Sequence, residues 1–201
     1  MKYTPTKDHY DLLIQEDNAP VNGPPILQNY MDKWDGKLFI DALSLTSSSR
    51  VLEIGIGTER LAKKVFQNGC SHLTGIDIST AAIERTKTNL AVWKNITLIH
   101  DDFLAHSFNQ KFSTIYCSLI FFHFKDKKTT VEKISSLLDI NGRFALSIPI
   151  NEESYISFGT KNVLLYPDNL ERTLNLLTES DLIVSNVFKT DFSNLIVADK
   201  V

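Results

Sequence analysis

From Arg50 onward the chain alternates short apolar runs rich in β-branched residues with longer amphipathic segments, and few architectures satisfy that alternation. Short runs of this kind suit strands covered on both faces, which is the condition of a parallel sheet whose return connections are helices. The runs predict strands at Val51–Ile54, Leu73–Ile76, Ile96–His100, Thr114–Ser118, Phe144–Ile148, Ile183–Lys189 and Leu195–Asp199. Helical spacing falls between them at Glu59–Gln67, Thr80–Leu90, Lys128–Leu138 and Asp168–Glu179. Ser79 is the expected N-cap of the second helix, and Asn141-Gly142 carries the turn chemistry expected to end the third. Only a few residues around 191–194 join the last two strands. So short a link cannot form a right-handed parallel crossover, so these two strands are expected to be antiparallel. The architecture expected is a three-layer α/β/α sandwich around a mostly parallel seven-stranded sheet with an antiparallel final strand.

Residues 1–49 differ in character. Pro20, Pro24 and Pro25 interrupt them, and Tyr30 to Trp34 open a helix-like stretch running to Leu45. They are expected to form a helical extension that caps a sheet edge or acts as a lid, with residues 50–201 as the main domain. The chain has 201 residues, 43% of them hydrophobic, enough to bury a sizeable core. Its net charge of -3 supplies no basic surface for phosphates, so nucleic acid is not an expected partner. Cys70 and Cys117 are too few for a disulfide framework or a zinc site, and no metal is expected. With no signal-like start and no run long enough to span a bilayer, the expectation is a cytoplasmic protein, monomeric or homodimeric, with no membrane association.

The most informative passage runs from Val51 to Ala62: a buried strand enters a turn at Gly55-Ile56-Gly57 and then a helix. Gly55 and Gly57 leave room for a ligand to approach the backbone. Two glycines alone are also compatible with an ordinary tight turn. Asp77, however, follows the second strand 20 residues beyond Gly57, where a carboxylate in such a fold meets a ribose diol. An adenosine derivative fits. A dinucleotide would set its pyrophosphate at the helix start, but Glu53 and Glu59 flank that point and would repel it. An adenosyl sulfonium has no phosphate and brings positive charge. Glu59 itself reads as a surface residue in the first helical turn.

Val51–Ala62, Gly75-Ile76-Asp77-Ile78-Ser79, Asp101-Asp102-Phe103 and residues 112–119 together resemble the ordered motifs of the class I S-adenosylmethionine-dependent methyltransferases, which have a Rossmann-like fold. This resemblance implies S-adenosyl-L-methionine as cofactor. It implies Glu53, Gly55 and Gly57 around the methionine portion and Asp77 on the ribose hydroxyls. Ile78 would pack on adenine, Asp102 would accept from its amino group, and Phe103 would offer a backbone N–H. Ser118 and Leu119 would end the fourth strand beside the transferable methyl. Many members carry a third glycine where this chain has Glu59, and the adjacent Asp101 competes with Asp102 for the adenine role.

Methyl transfer to a small-molecule acceptor with a nitrogen or oxygen nucleophile is the activity so implied. Positioning supplies much of such a reaction's acceleration. His123, in the loop after the fourth strand, is the candidate base; the other reading is a packed or helix-capping histidine. The signatures for amino groups on nucleobases or glutamine are absent, Cys117-Ser118-Leu119-Ile120 standing there instead. Tyr10, Trp34, Phe121 and Tyr155 are candidates for an acceptor pocket, alongside Tyr30 and Tyr166, and residues 151–162 read as a substrate loop. Two other functions compete: a cofactor-binding protein without catalysis, and a nicotinamide-dependent oxidoreductase.

Overall fold

The structure, a computed structural model, describes residues 3–16, 25–158 and 161–201. Pro20, Pro24 and Gly159 lie outside them. Helices α1 (Thr6–Gln15), α2 (Pro25–Asp32) and α3 (Gly36–Ala42) precede β1 (Arg50–Ile54), α4 (Arg60–Gln67), β2 (His72–Asp77), α5 (Thr80–Asn89) and β3 (Ile96–His100). Then follow β4 (Phe112–Ser118), α6 (Lys127–Leu137), β5 (Leu138–Pro149), β6 (Tyr155–Phe158), β7 (Lys161–Leu164), α7 (Leu170–Glu179), β8 (Leu182–Lys189) and β9 (Ser193–Lys200). Seven strands form one sheet in the order β3-β2-β1-β4-β5-β9-β8. Its first five pair in parallel, while β9 runs antiparallel to both β5 and β8. The final hairpin therefore inserts its second strand into the sheet, the mixed arrangement that the short connection demands.

Alternation along the strands divides the core. Leu52, Ile54, Ile115, Cys117, Phe144 and Leu146 face a cluster completed by Val131 and Ile134 of α6 and Leu177 of α7. Val51, Leu73, Tyr116 and Ala145 face the opposite cluster with Leu61 and Val65 of α4 and Ile83 of α5. Helix α3 contributes Phe39 and Ile40 to that second cluster, so part of the N-terminal segment shares the apolar burial that holds the sheet.

Two local expectations change. Helix α6 stops at Leu137, because Leu138 is already extended, fully buried and paired with Phe112. Asn141-Gly142 lies inside a bulge of β5, where the register moves from Leu138 opposite Phe112 to Arg143 opposite Thr114. Asn141 takes a φ of +61° there, the left-handed conformation that asparagine tolerates. Residues 151–162, read as a loop, contain most of the β6–β7 hairpin, in which Tyr155 pairs with Leu164 and Ile156 with Val163.

Gly75 in β2 pairs with Glu53 of β1, and a Cβ built there would lie 2.3 Å from Ile56 Cδ1 and 3.1 Å from Ile56 Cβ. Ile56 is buried and has little room to retreat. Gly75→Ala is therefore expected to lower stability by about 1–3 kcal/mol through overpacking. Urea unfolding checks this: a lower midpoint at unchanged slope is expected, and an unchanged midpoint would show that Ile56 moves freely.

Candidate active site

A cavity of about 730 Å³ lies at the carboxyl ends of β1, β2 and β4. This is where the strand order reverses, since the chain runs outward from β1 through β2 to β3 and then crosses back to β4 on the other side of β1. Open α/β sheets bind ligands at such a reversal. The turn after β1 is tied to the next strand, as the N–H groups of Gly55 and Ile56 both donate to the Ile76 carbonyl, at 2.8 and 3.2 Å. Gly55 and Gly57 have φ of +75° and +56°, conformations that side chains rarely adopt. A Cβ on Gly57 would meet nothing within 4 Å, so its backbone borders open space. At Gly55 the space is taken by Ile120, whose Cδ1 would lie 2.6 Å from such a Cβ.

Glu59 departs from its sequence reading. It has a φ of +86°, at the point where many members of the resembled family carry glycine. Rather than lying on the surface, it is buried and accepts from Asn89 Nδ2 at 2.5 Å. Burial pushes its carboxyl above the usual range. Its carboxylate is thereby anchored to α5, and α4 begins one residue later at Arg60.

Asp77 stands at the tip of β2 and accepts from the N–H of Gly57 at 2.9 Å and of Ser79 at 2.8 Å, one on each oxygen. Each carboxylate oxygen retains acceptor capacity beyond these bonds. Burial raises the Asp77 carboxyl, against the pull of those two N–H groups. Glu53 is buried opposite Tyr116 of β4, whose hydroxyl donates to it at 2.6 Å. Burial pushes Glu53 up to about 8, with the nearby Asp77 and Asp35 adding to the rise and Tyr116 and Arg60 opposing it. Glu53 is thus largely protonated at neutral pH.

Two residues that the sequence reading did not single out dominate this region. Asp35, at the start of α3, accepts two bonds from Arg60, at 2.8 and 2.5 Å, and one from Ser118 Oγ at 2.5 Å. Asp35 stays below the usual carboxylate range because these hydrogen bonds and the Arg60 charge outweigh its burial. Arg60 also reaches Asp32 at 3.3 Å, and Lys64 bonds Asp32 as well. An aspartate before glycine at a helix start was a signal for Asp35, and Arg60 lay inside the turn passage. Neither residue type alone reveals that they pair across 25 positions.

The remaining expected residues divide. Ile78, Asp101, Asp102, Phe103, Ser118 and Leu119 all line the cavity. Asp102 Oδ1 accepts from Leu104 N at 2.7 Å, while Asp101 meets His106 Nδ1 at 2.9 Å. Tyr10, Trp34 and His123 also line it. His123 Nε2 lies 2.9 Å from the Tyr10 hydroxyl, while Nδ1 is buried without a partner among the described residues. Burial brings His123 down to about 4, so its ring is neutral at physiological pH.

Phe121 and Tyr155 do not line the cavity. Phe121 is fully buried in the core at the start of the 3-10 turn Phe121–His123. Three residues per turn send it inward while Phe122 and His123 face the cavity. Tyr155 is exposed at the start of β6, and strand alternation gives its position in the wall to Ile156. No helix of the described residues is long and apolar enough to cross a membrane.

The family described as "Methyltransferase domain" matches residues 51–142, which hold the glycine turn, Asp77 and the Asp101–Phe103 segment. The match takes in 92 of the 201 residues, a little under half of the chain, and is a likeness of that part of it. A protein of Anoxybacillus flavithermus described as an uncharacterized methyltransferase is 32% identical over 134 residues, 64% of this chain and 61% of that protein. The chain thus spans less than two thirds of the length of the curated relatives it matches. Among solved structures, the N-methyltransferase NodS from Bradyrhizobium japonicum, in complex with S-adenosyl-L-homocysteine, superposes with a TM-score of 0.75 at 18% identity, over 97% of this chain and 98% of that one. The [4+2]-cyclase SpnF superposes at 0.79 with 13% identity, over 100% and 98%. These two likenesses establish a shared fold.

The Glu53 carboxyl gives a test of the buried charge. A carboxyl raised in the folded state from its ordinary value of 4.5 to about 8 contributes stability that is present below the ordinary value and is lost as pH rises through about 8. Glu53→Gln keeps an acceptor for Tyr116 without a charge. It is expected to melt several degrees above the parent at about pH 9 and to show a shallower loss of stability from about pH 6 upward. Thermal unfolding at the two pH values reads this out; equal pH dependence in both proteins would show that Glu53 does not titrate there.

Proposed function

We propose that the chain is an S-adenosylmethionine-dependent methyltransferase acting on a small-molecule acceptor through a nitrogen or oxygen nucleophile. The observation that carries this reading is the excess of carboxylate over cation at the strand tips. Asp35 and Asp32 pair with the guanidinium of Arg60, Glu53 lies near it in protonated form, and Asp77 stands near Glu53, an acidic environment that repels a pyrophosphate and suits a cation, whose arrival favours ionisation of Glu53. The open space beside Gly57 fits a ligand laid against the backbone. When bound, S-adenosylmethionine supplies a methyl on a positively charged sulfur, an already activated electrophile.

The chain's own groups have definite tasks in this reading. Asp77, held by the Gly57 and Ser79 N–H groups, accepts the two ribose hydroxyls. Asp102 accepts from the adenine amino group and the Phe103 backbone N–H supports the ring, with Asp101 fixed by His106 as an outer neighbour. Glu53 and the Gly55–Gly57 turn receive the methionine end, whose ammonium favours the ionised form of Glu53. Ser118 and Leu119 border the transferable methyl. His123, neutral and joined to the Tyr10 hydroxyl, relays a proton away from the acceptor without holding it. Helix α1 carries Tyr10 and closes this side of the cavity, which supports the extension's role as a cover.

A second reading, cofactor binding without methyl transfer, is favoured by one observation: a protein of this fold is described as a cyclase. It predicts affinity for the cofactor with no turnover across a broad acceptor panel, and an S-adenosylhomocysteine release assay against pooled metabolites separates the two.

Asp77→Ala is expected to weaken S-adenosylmethionine binding by on the order of 1–3 kcal/mol through loss of charge-assisted hydrogen bonds, read by calorimetric titration. Unchanged affinity would remove Asp77 from the site. His123→Ala is expected to slow turnover without a matching loss of cofactor affinity. With His123 near 4, it contributes no inflection to the rate between about pH 6 and 8. A step near its ordinary value of 6.5 that disappears in His123→Ala would contradict this account.

A further inference from the structure

From Glu53 to Leu61 every residue lines the cavity except Glu59. Within that stretch only Glu59 combines a side chain with a positive φ, at +86°. The left-handed conformation is open to glycine but unfavourable for a residue with a Cβ, and it persists only where the surroundings impose it. What imposes it here is the side chain itself, which is bonded to α5 instead of facing the cavity.

Helix α5 holds the turn at two points. Thr86 Oγ1 donates to the Gly57 carbonyl at 2.7 Å, and Asn89 Nδ2 donates to Glu59 Oε2 at 2.5 Å. Residues three apart on a helix share a face, so both bonds come from one side of α5. Thr86 is fully buried and Glu59 nearly so, which leaves water little chance to compete for either bond. Gly57 is fixed from the other direction as well, since its N–H donates to Asp77 at 2.9 Å. Between these anchors the Glu59 N–H donates to the Ile56 carbonyl at 3.3 Å. At the opposite end of α5, its N-cap Ser79 donates a backbone N–H to Asp77. One helix therefore touches Asp77 with its first turn and Glu59 with its last residue.

We propose that Glu59 is a positioning residue for the cofactor: tethered to Asn89, it holds the Gly55–Gly57 turn in the shape that receives the ligand before the ligand arrives. This rests on the methyltransferase reading and adds a residue to its binding machinery that makes no contact with the ligand. Glycine at this position would allow the same bend together with many others. A tethered glutamate narrows the choice to one. Conformational freedom removed before binding is not lost on binding, so the tether raises affinity through the turn alone. The strain of the left-handed residue is present in the free and the bound protein alike and cancels between them.

The test is calorimetric titration of the full chain and its variants with S-adenosylhomocysteine, at a temperature where circular dichroism shows each to be folded. Glu59→Gly and Asn89→Ala are each expected to weaken binding about threefold to tenfold, and the double variant no further than either, because all three remove one tether. Glu59→Gln keeps an oxygen that accepts from Asn89 and is expected to bind within about twofold of the parent. A bond that serves stability alone would lower the melting temperature and leave affinity unchanged. If Asn89→Ala does not fold, the comparison of Glu59→Gly with Glu59→Gln decides. Unchanged affinity in the folded Glu59→Gly or Asn89→Ala, additive losses in the double variant, or a loss in Glu59→Gln equal to that in Glu59→Gly would overturn the proposal and leave the cofactor reading intact. Failure of the parent to bind S-adenosylhomocysteine would overturn both.

Discussion

Burying acidic groups close together is expensive unless each is bonded or neutralised, and the ends of β1 and β2 together with the start of α3 bury three. The cost is met differently at each position. Asp35 has Arg60 and Ser118 and stays ionised. Asp77 has two backbone N–H groups, one of them from the glycine turn itself. Glu53 has only the Tyr116 hydroxyl and keeps its proton up to about 8. The surroundings of Glu53 are thus short of one positive charge, and that deficit distinguishes this crevice from one built for a pyrophosphate. Arg60, the one lysine or arginine of the cavity wall among the described residues, anchors the N-terminal segment to α4 through Asp35 and Asp32.

The same contacts make the N-terminal helices part of the site. Asp11 of α1 accepts from Ser79 Oγ at 2.7 Å and from the Ala81 N–H at 3.0 Å, so α1 is fastened to the start of α5, next to Asp77. These bonds and Lys7 hold Asp11 down at about 2 against the effect of burial. Tyr10, one residue earlier, meets His123 across the cavity. One helix therefore touches both the turn that follows Asp77, the proposed ribose-binding residue, and the residue proposed to move a proton. On the other side, Lys133 of α6 donates to the carbonyls of Leu104 and His106, at 2.9 and 2.6 Å, and steadies the segment that carries Asp102 and Phe103.

Strands buried on both faces leave a strong trace in sequence, and the sheet was legible for that reason: Val51, Leu52 and Ile54 could belong to little else. The glycine turn and Asp77 were legible because backbone conformation and spacing are local facts. Residues that act through partners far along the chain were not. Glu59 read as a surface helix residue because its burial depends on Asn89, 30 positions away. Phe121 read as a pocket aromatic because a 3-10 turn and a loop look alike in composition, although the turn's three-residue period decides which ring points inward. The β6–β7 hairpin has strands of only four residues each, Tyr155–Phe158 and Lys161–Leu164, too short for apolar alternation to announce it.

The central claim is that the strand tips bind a positively charged adenosyl compound and reject a dinucleotide. Calorimetric titration of the unmodified chain with S-adenosylmethionine and, separately, with NADH tests it most directly. The account predicts saturable binding of S-adenosylmethionine, competed by S-adenosylhomocysteine, and no saturable heat from NADH. Saturable binding of NADH, or none of S-adenosylmethionine, would contradict it.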